Sequence, residues 1–168
     1  MKHAVLILAF AVALASGSAV AADAAGPARA ITSDQIAIGT ARINLFGIDA
    51  PDPDQDNECT AGRAFYGCAS NAKRALEILV SLGPVECTDS GVKNFIGIAY
   101  MTCTIRGADV GADLVRQGWA LAFRLQSDKY VPLEEEAKAK GIGLWQPSIQ
   151  FTKPWEWRQM DGKPVLGP

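Results

Sequence analysis

The chain has 168 residues, a formal net charge of -2, four cysteines and one histidine. That length suits one domain, and the slight negative charge gives no general attraction for nucleic acid, so any such binding must come from a local site. The lone histidine, His3, stands beside the start, and loss of a leader would exclude both histidine-based catalysis and a histidine-containing metal site from the mature chain.

A leader is what the first residues suggest. Met1-Lys2-His3 is a short positive segment, residues 4–15 are almost wholly apolar, and Ala19-Val20-Ala21 is a small-x-small cleavage pattern. Residues 1–22 therefore read as a secretory signal peptide. The rival reading, a membrane anchor, needs a longer apolar run to span a bilayer. Cleavage would leave about 146 residues, enough for one hydrophobic core, and would move the charge to about -3 by removing Lys2. The later sequence holds no segment suited to crossing a membrane. Cys59, Cys68, Cys87 and Cys103 all remain. In an oxidising compartment an even number of cysteines points to disulfides; metal binding is the alternative, though no pair has C-x-x-C spacing.

Residues 23–30 are rich in Ala, Gly and Pro and read as a flexible lead-in. Strands follow: Ile36 and Ile38 alternate, Gly39-Thr40 turns the chain, and Ile43, Leu45 and Phe46 carry a second strand. Residues 52–58 are acidic and loop-like. A helix is expected next, with Phe65, Ala69, Ala72, Leu76, Leu79 and Val80 at three- and four-residue steps and Gly83-Pro84 as its stop. Strands at 84–88 and 95–105 come after it, joined near Ser90-Gly91. Asp109 caps a short helix bearing Val110, Leu114 and Val115, closed by Gly118. A strand over 119–123 and a helix over 132–140 complete the body, the helix carrying glutamates early and lysines late to match its dipole. Short strands with inserted helices suit a small Greek-key barrel.

Four landmarks in order sharpen this: Gly47-Ile48-Asp49-Ala50-Pro51, Ile98-Ala99-Tyr100, the run from Asp109-Val110 through Leu114-Val115-Arg116-Gln117-Gly118-Trp119-Ala120, and Ala137 through Gly143-Leu144-Trp145. With them the chain resembles the staphylococcal nuclease-like (thermonuclease) family. The resemblance implies an α+β, mainly β fold: a five-stranded OB-fold Greek-key barrel with about three helices, spanning residues 31–146. The tail, 147–168, includes Pro154-Trp155-Glu156-Trp157-Arg158 and resembles that of secreted bacterial members. Its two tryptophans either pack the segment onto the barrel or form a ligand platform. By the same resemblance Cys87 and Cys103 bridge two antiparallel strands, and Cys59 and Cys68 staple the polar loop to the first helix. Arg116 is expected to tie helix to barrel.

The family's enzymes are calcium-dependent phosphodiesterases acting on DNA and RNA, and the resemblance implies Ca2+ as the cofactor here. It assigns metal-ligand positions to Asp34, to Asp49 and to the backbone carbonyl of Ala50, since hard oxygen ligands suit calcium. Asp52 takes the place of the glutamate that handles the attacking water, one methylene shorter; a displacement of about 1 Å can cost on the order of a hundredfold. Two arginines that grip phosphate bidentately in the family are replaced by Asn44 and Ile96. Loss of one preorganised donor costs on the order of 10² to 10³ in rate, and of an arginine on a phosphoryl transition state about 10³ to 10⁵. Arg42 shares the strand face of Asn44 but lies about 7 Å away along it, and Lys93 lies near the second lost position. Asn94, Arg124 and Gln126 stand where tyrosines line the nucleotide pocket, so base stacking is lost.

The resulting expectation is an exported, monomeric, periplasmic or secreted protein with impaired chemistry, acting as a binding or scaffold module. Its partners would be nucleic acid or an envelope protein or glycan. The alternatives are a weak calcium-dependent nuclease using Asp34, Asp49 and Asp52, and an accessory role in exopolysaccharide (succinoglycan-type) or envelope biology.

Overall fold

A computed structural model describes residues 23–166; the signal segment expected at 1–22 lies outside them. The strands in chain order are β1 (Ala24–Gly26), β2 (Ala28–Ala30), β3 (Gln35–Ile38), β4 (Ala41–Leu45), β5 (Ile48–Asp49), β6 (Thr60–Ala61) and β7 (Ala64–Phe65). Helix α1 (Cys68–Val80) leads to β8 (Val85–Lys93), β9 (Ala99–Ile105) and β10 (Ala108–Asp109), then α2 (Val110–Arg116), β11 (Leu121–Ala122), α3 (Val131–Lys140), β12 (Ile149–Gln150) and α4 (Pro154–Met160).

The main sheet runs β1-β8-β9-β4-β3-β2, with β10 also on β9. β4 and β9 are parallel, with Asn44 opposite Tyr100, whereas β3 and β4 form an antiparallel hairpin through Gly39-Thr40. After a turn at Phe46-Gly47 the chain continues as β5, which pairs with β11 and brings in the fifth expected strand. Gly47 has φ +78°, and a Cβ there would lie 2.9 Å from the Tyr130 ring, so both conformation and space call for glycine. This mixed, mainly β architecture is the expected OB-type fold.

Alternation along the strands sends Ile36, Ile43, Leu45, Val85 and Ile105 inward, where α1 and α2 add Leu76, Leu79, Leu114 and Val115 to one buried cluster. Asp109 caps α2 as expected, its carboxylate accepting from the Ala112 N–H at 3.0 Å. Both disulfides are present, Cys87–Cys103 across paired strands and Cys59–Cys68 beside a smaller cluster containing Leu121 and Leu144. No helix of the described residues is long and apolar enough to cross a membrane.

Several local expectations need correction. The lead-in at 23–30 forms β1 and β2, because Ala24–Gly26 finds the open edge of β8 and Ala28–Ala30 that of β3. The 52–58 loop holds a 3₁₀-helix, Pro53–Glu58, where Gln55 receives the Asp52 N–H at 3.2 Å. Helix α1 starts only at Cys68, after Gly67 in the left-handed region, so Phe65 sits exposed on a small hairpin. The strand expected from residue 95 begins at Ala99, since the Asn94 side-chain oxygen accepts from the Ile96 and Ile98 N–H groups and holds a turn. Arg116 does not reach the barrel: it is exposed and pairs with Asp113 on its own helix.

The tail packs onto the body. β12 adds to the β6–β7 hairpin, Trp155 stacks at a tilt on Phe123 with centroids 5.6 Å apart, and α4 buries Pro154, Trp157 and Arg158.

Helix α3 is pinned by Glu134, which is 1% exposed. It accepts from the Ala122 N–H at 3.2 Å and pairs with Lys138 at 3.0 Å and Arg124 at 3.1 Å. Glu134→Ala would leave the buried Ala122 N–H without its acceptor. A loss of on the order of 2–4 kcal/mol in urea unfolding is expected, with Glu134→Gln losing less.

Candidate functional site

The site is assembled from three short segments and the tail. The turn before β3 is laced by Thr32, whose hydroxyl donates to Asp34 Oδ1 at 3.0 Å while its Oγ accepts from the Gln35 N–H at 3.1 Å. Ser33 fastens this turn to the next segment by donating to the Pro51 carbonyl, and the Ala50 N–H donates to Asp34 Oδ2 at 3.3 Å. Asp49 ends β5, and Asp52 stands at the start of the 3₁₀-helix. These carboxylates line a pocket of about 190 Å³ with Arg42, Asn44, Ile96, Tyr100 and Arg158.

Arg158 decides the character of the pocket. Its Nη1 donates to Asp49 Oδ1 at 3.1 Å and to Asp52 Oδ2 at 2.7 Å, and its Nη2 donates to Asp49 Oδ2. The Val165 carbonyl accepts from Nε at 3.0 Å and from Nη2 at 2.6 Å. A guanidinium has five N–H donors, and each of these is engaged within the chain. Two of its carboxylate bonds form the bidentate fork with Asp49, and the residue is 3% exposed.

The surroundings set the charges. Burial pushes the Asp34 carboxyl up to about 6, helped by the charge of Asp52 and opposed by the Thr32 hydrogen bond. Burial also raises Asp49 and Asp52, with Arg158 pulling both back. Burial alone would lower the Arg158 guanidinium, but the two carboxylates more than offset it and hold it fully protonated. The Tyr100 hydroxyl is held above its ordinary value by burial and by Asp34 and Asp49.

The two positions read as lost arginines do meet in this pocket. Asn44 is 6% exposed; its side-chain oxygen accepts from Gln35 Nε2 at 2.7 Å, and its Nδ2 has no partner. Ile96 is 57% exposed on the 94–98 turn. Arg42 reaches the same pocket from the exposed end of β4, whereas Lys93 does not line it. Of the former base-stacking positions, Arg124 pairs with Glu134 and Glu135, and Gln126 accepts the Gly47 N–H at 2.8 Å.

Arg158 has no assigned role in the sequence reading, although one signal for it exists. Pro154, Trp157 and Arg158 fall on one helical face, and a face led by proline and tryptophan is the one that packs inward. The charge on that face then requires buried carboxylates as partners.

Calcium takes six to eight oxygens. In this conformation both oxygens of Asp49 and one of Asp52 are bonded to a cation already, and Asp34 is occupied by Thr32 and Ala50. No group of three or more His, Cys, Asp or Glu side chains among the described residues is arranged to hold a metal ion. The arrangement with Arg158 in place therefore does not fit calcium.

Asp49 and Asp52 thus stand at and just after the end of β5 in an OB-type fold. The family model described as "Staphylococcal nuclease homologue" matches residues 42–147, and the chain belongs to that family. The match takes in Asn44, Asp49, Asp52 and Ile96 but neither Asp34 nor Arg158. Among curated relatives, an "Uncharacterized endonuclease" of Haemophilus influenzae is 27% identical over 125 residues, covering 71% of this chain and 61% of that protein. The "Succinoglycan biosynthesis protein ExoI" of Rhizobium meliloti is 29% identical over 127 residues, covering 72% and 64%. "Protein ParB" of Escherichia coli is 27% identical over 130 residues, covering 70% and 67%. The chain thus spans about two thirds of the length of these relatives.

The raised Asp34 carboxyl has a stability consequence. Folding favours its protonated form, so this contribution is present below the ordinary 3.8 and is lost as pH rises through about 6. Asp34→Asn should therefore gain stability relative to the parent between pH 4 and pH 7.5, by about 1–2 kcal/mol because Asp34 keeps some contact with water. Denaturation curves at both pH values check this, and a pH-independent difference would contradict it.

Proposed function

We propose that this nuclease-fold protein is impaired in phosphodiester hydrolysis and acts as a binding or scaffold module through the face around Asn44 and Ile96. One observation carries the reading: the two positions that would grip phosphate hold a neutral amide and an exposed isoleucine in the same pocket. Neither supplies the charge that phosphoryl transfer draws on. Arg158, although nearby, has each N–H engaged and none free for a phosphate oxygen. The exposed Phe95 and Ile96 turn beside the pocket suits an apolar partner surface, on a protein or glycan, better than a polyanion. Export is part of this proposal, supported by the leader pattern of residues 1–22 and compatible with two disulfides.

The test is hydrolysis of DNA and RNA by the oxidised protein with calcium, beside an Asp49→Ala control. Cleavage no faster than that of the control is expected. Cleavage that Asp49→Ala abolishes would end this reading in favour of a weak calcium-dependent nuclease using Asp34, Asp49 and Asp52, the activity that the endonuclease relative's name suggests.

A further inference from the structure

We propose that Arg158 is the resident cation of the Asp34, Asp49 and Asp52 cluster, and that the C-terminal tail carrying it keeps a divalent cation out of the site. Arg158 and such a cation cannot share the position: a guanidinium lies on both Asp49 oxygens and on Asp52, and a second positive charge would face it at contact distance in a buried pocket.

The tail is placed by bonds that need no metal ion. Gln55 Nε2 donates to the Thr152 carbonyl, and Trp157 Nε1 donates to Glu58 at 2.5 Å. Trp155 lies on Phe123, and Lys163 sits 4.1 Å over the Trp157 ring while pairing with Asp54. These contacts surround Arg158 on both sides in sequence and deliver its side chain into the cluster. The Val165 carbonyl then takes the two N–H groups the carboxylates leave over. The result is a pocket whose negative charge is met from inside the chain, in a position where the family's chemistry would call for a metal.

A cation can enter only from the fraction of molecules in which Arg158 has withdrawn, so its apparent affinity is reduced by that fraction. Calcium titration of the full oxidised chain by calorimetry, for the parent and for Arg158→Gln, tests this without reference to activity. The parent is expected to bind calcium at least about tenfold more weakly than Arg158→Gln, and Asp49→Asn added to Arg158→Gln should remove the gain. Equal affinity in parent and variant overturns the proposal, as does a folded Arg158→Gln with no gain. Should Arg158→Gln fail to fold in calcium-free buffer, folding rescued by added calcium supports the proposal, and failure of that rescue overturns it. The inference stands apart from the proposed function, since affinity rather than hydrolysis is read.

Discussion

A guanidinium and two carboxylates, 109 and 106 residues apart in sequence, meet in one pocket, with Arg158 and Asp49 buried and Asp52 half-buried. Removing such ions from water costs several kcal/mol each, and only close, well-directed bonding offsets that. The rest of the local structure meets this requirement. Trp157 and Pro154 are buried with Arg158 on α4, the Pro53–Glu58 helix supplies Glu58 and Gln55 to hold the tail, and the Val165 carbonyl completes the guanidinium's bonding. Breaking the pair from one side would leave a buried charge that must take up a proton or another cation. The pair is therefore a constraint on everything around it, whatever its net contribution to stability.

The barrel could be read from the sequence because its determinants are local. Alternating Ile36/Ile38 and Ile43/Leu45, the Asp109 cap and the Gly39-Thr40 turn each impose their conformation within a few residues, and each is found. The expectations that fail turn on partners that strand and helix patterns do not show, some distant in sequence and some only a few residues away. The β1 and β2 residues have no strand pattern of their own and gain order from free sheet edges. Asn94 overrides a strand pattern by accepting two backbone N–H groups. Glu134 reads as a dipole-matching surface glutamate and is in fact a buried pin.

The site divides the same way. Asp34, Asp49, Asp52, Asn44 and Ile96 were recognisable from motif positions, and the fold brings them to one pocket. Arg158 was not, because its role is set by carboxylates more than a hundred residues earlier in the chain and because it lies beyond the family match. This changes what the cluster means. From motif positions alone, three aspartates suggest a vacant place for a cation; with the tail docked, that place has an occupant belonging to the chain. Family membership accounts for the fold and for the position of Asp49, and the tail adds the cation that Asp49 and Asp52 bond.

The tail's position in the chain has a consequence for assembly. β12 pairs with β6 beside the Cys59–Cys68 bridge, and α4 follows it in the chain and turns Arg158 toward Asp49. All the strands precede α4, so they emerge first during synthesis. The last helix is the element that brings a cation to Asp49 and Asp52. A chain cut short before Arg158 would retain every strand yet leave Asp49 and Asp52 without the cation that bonds them.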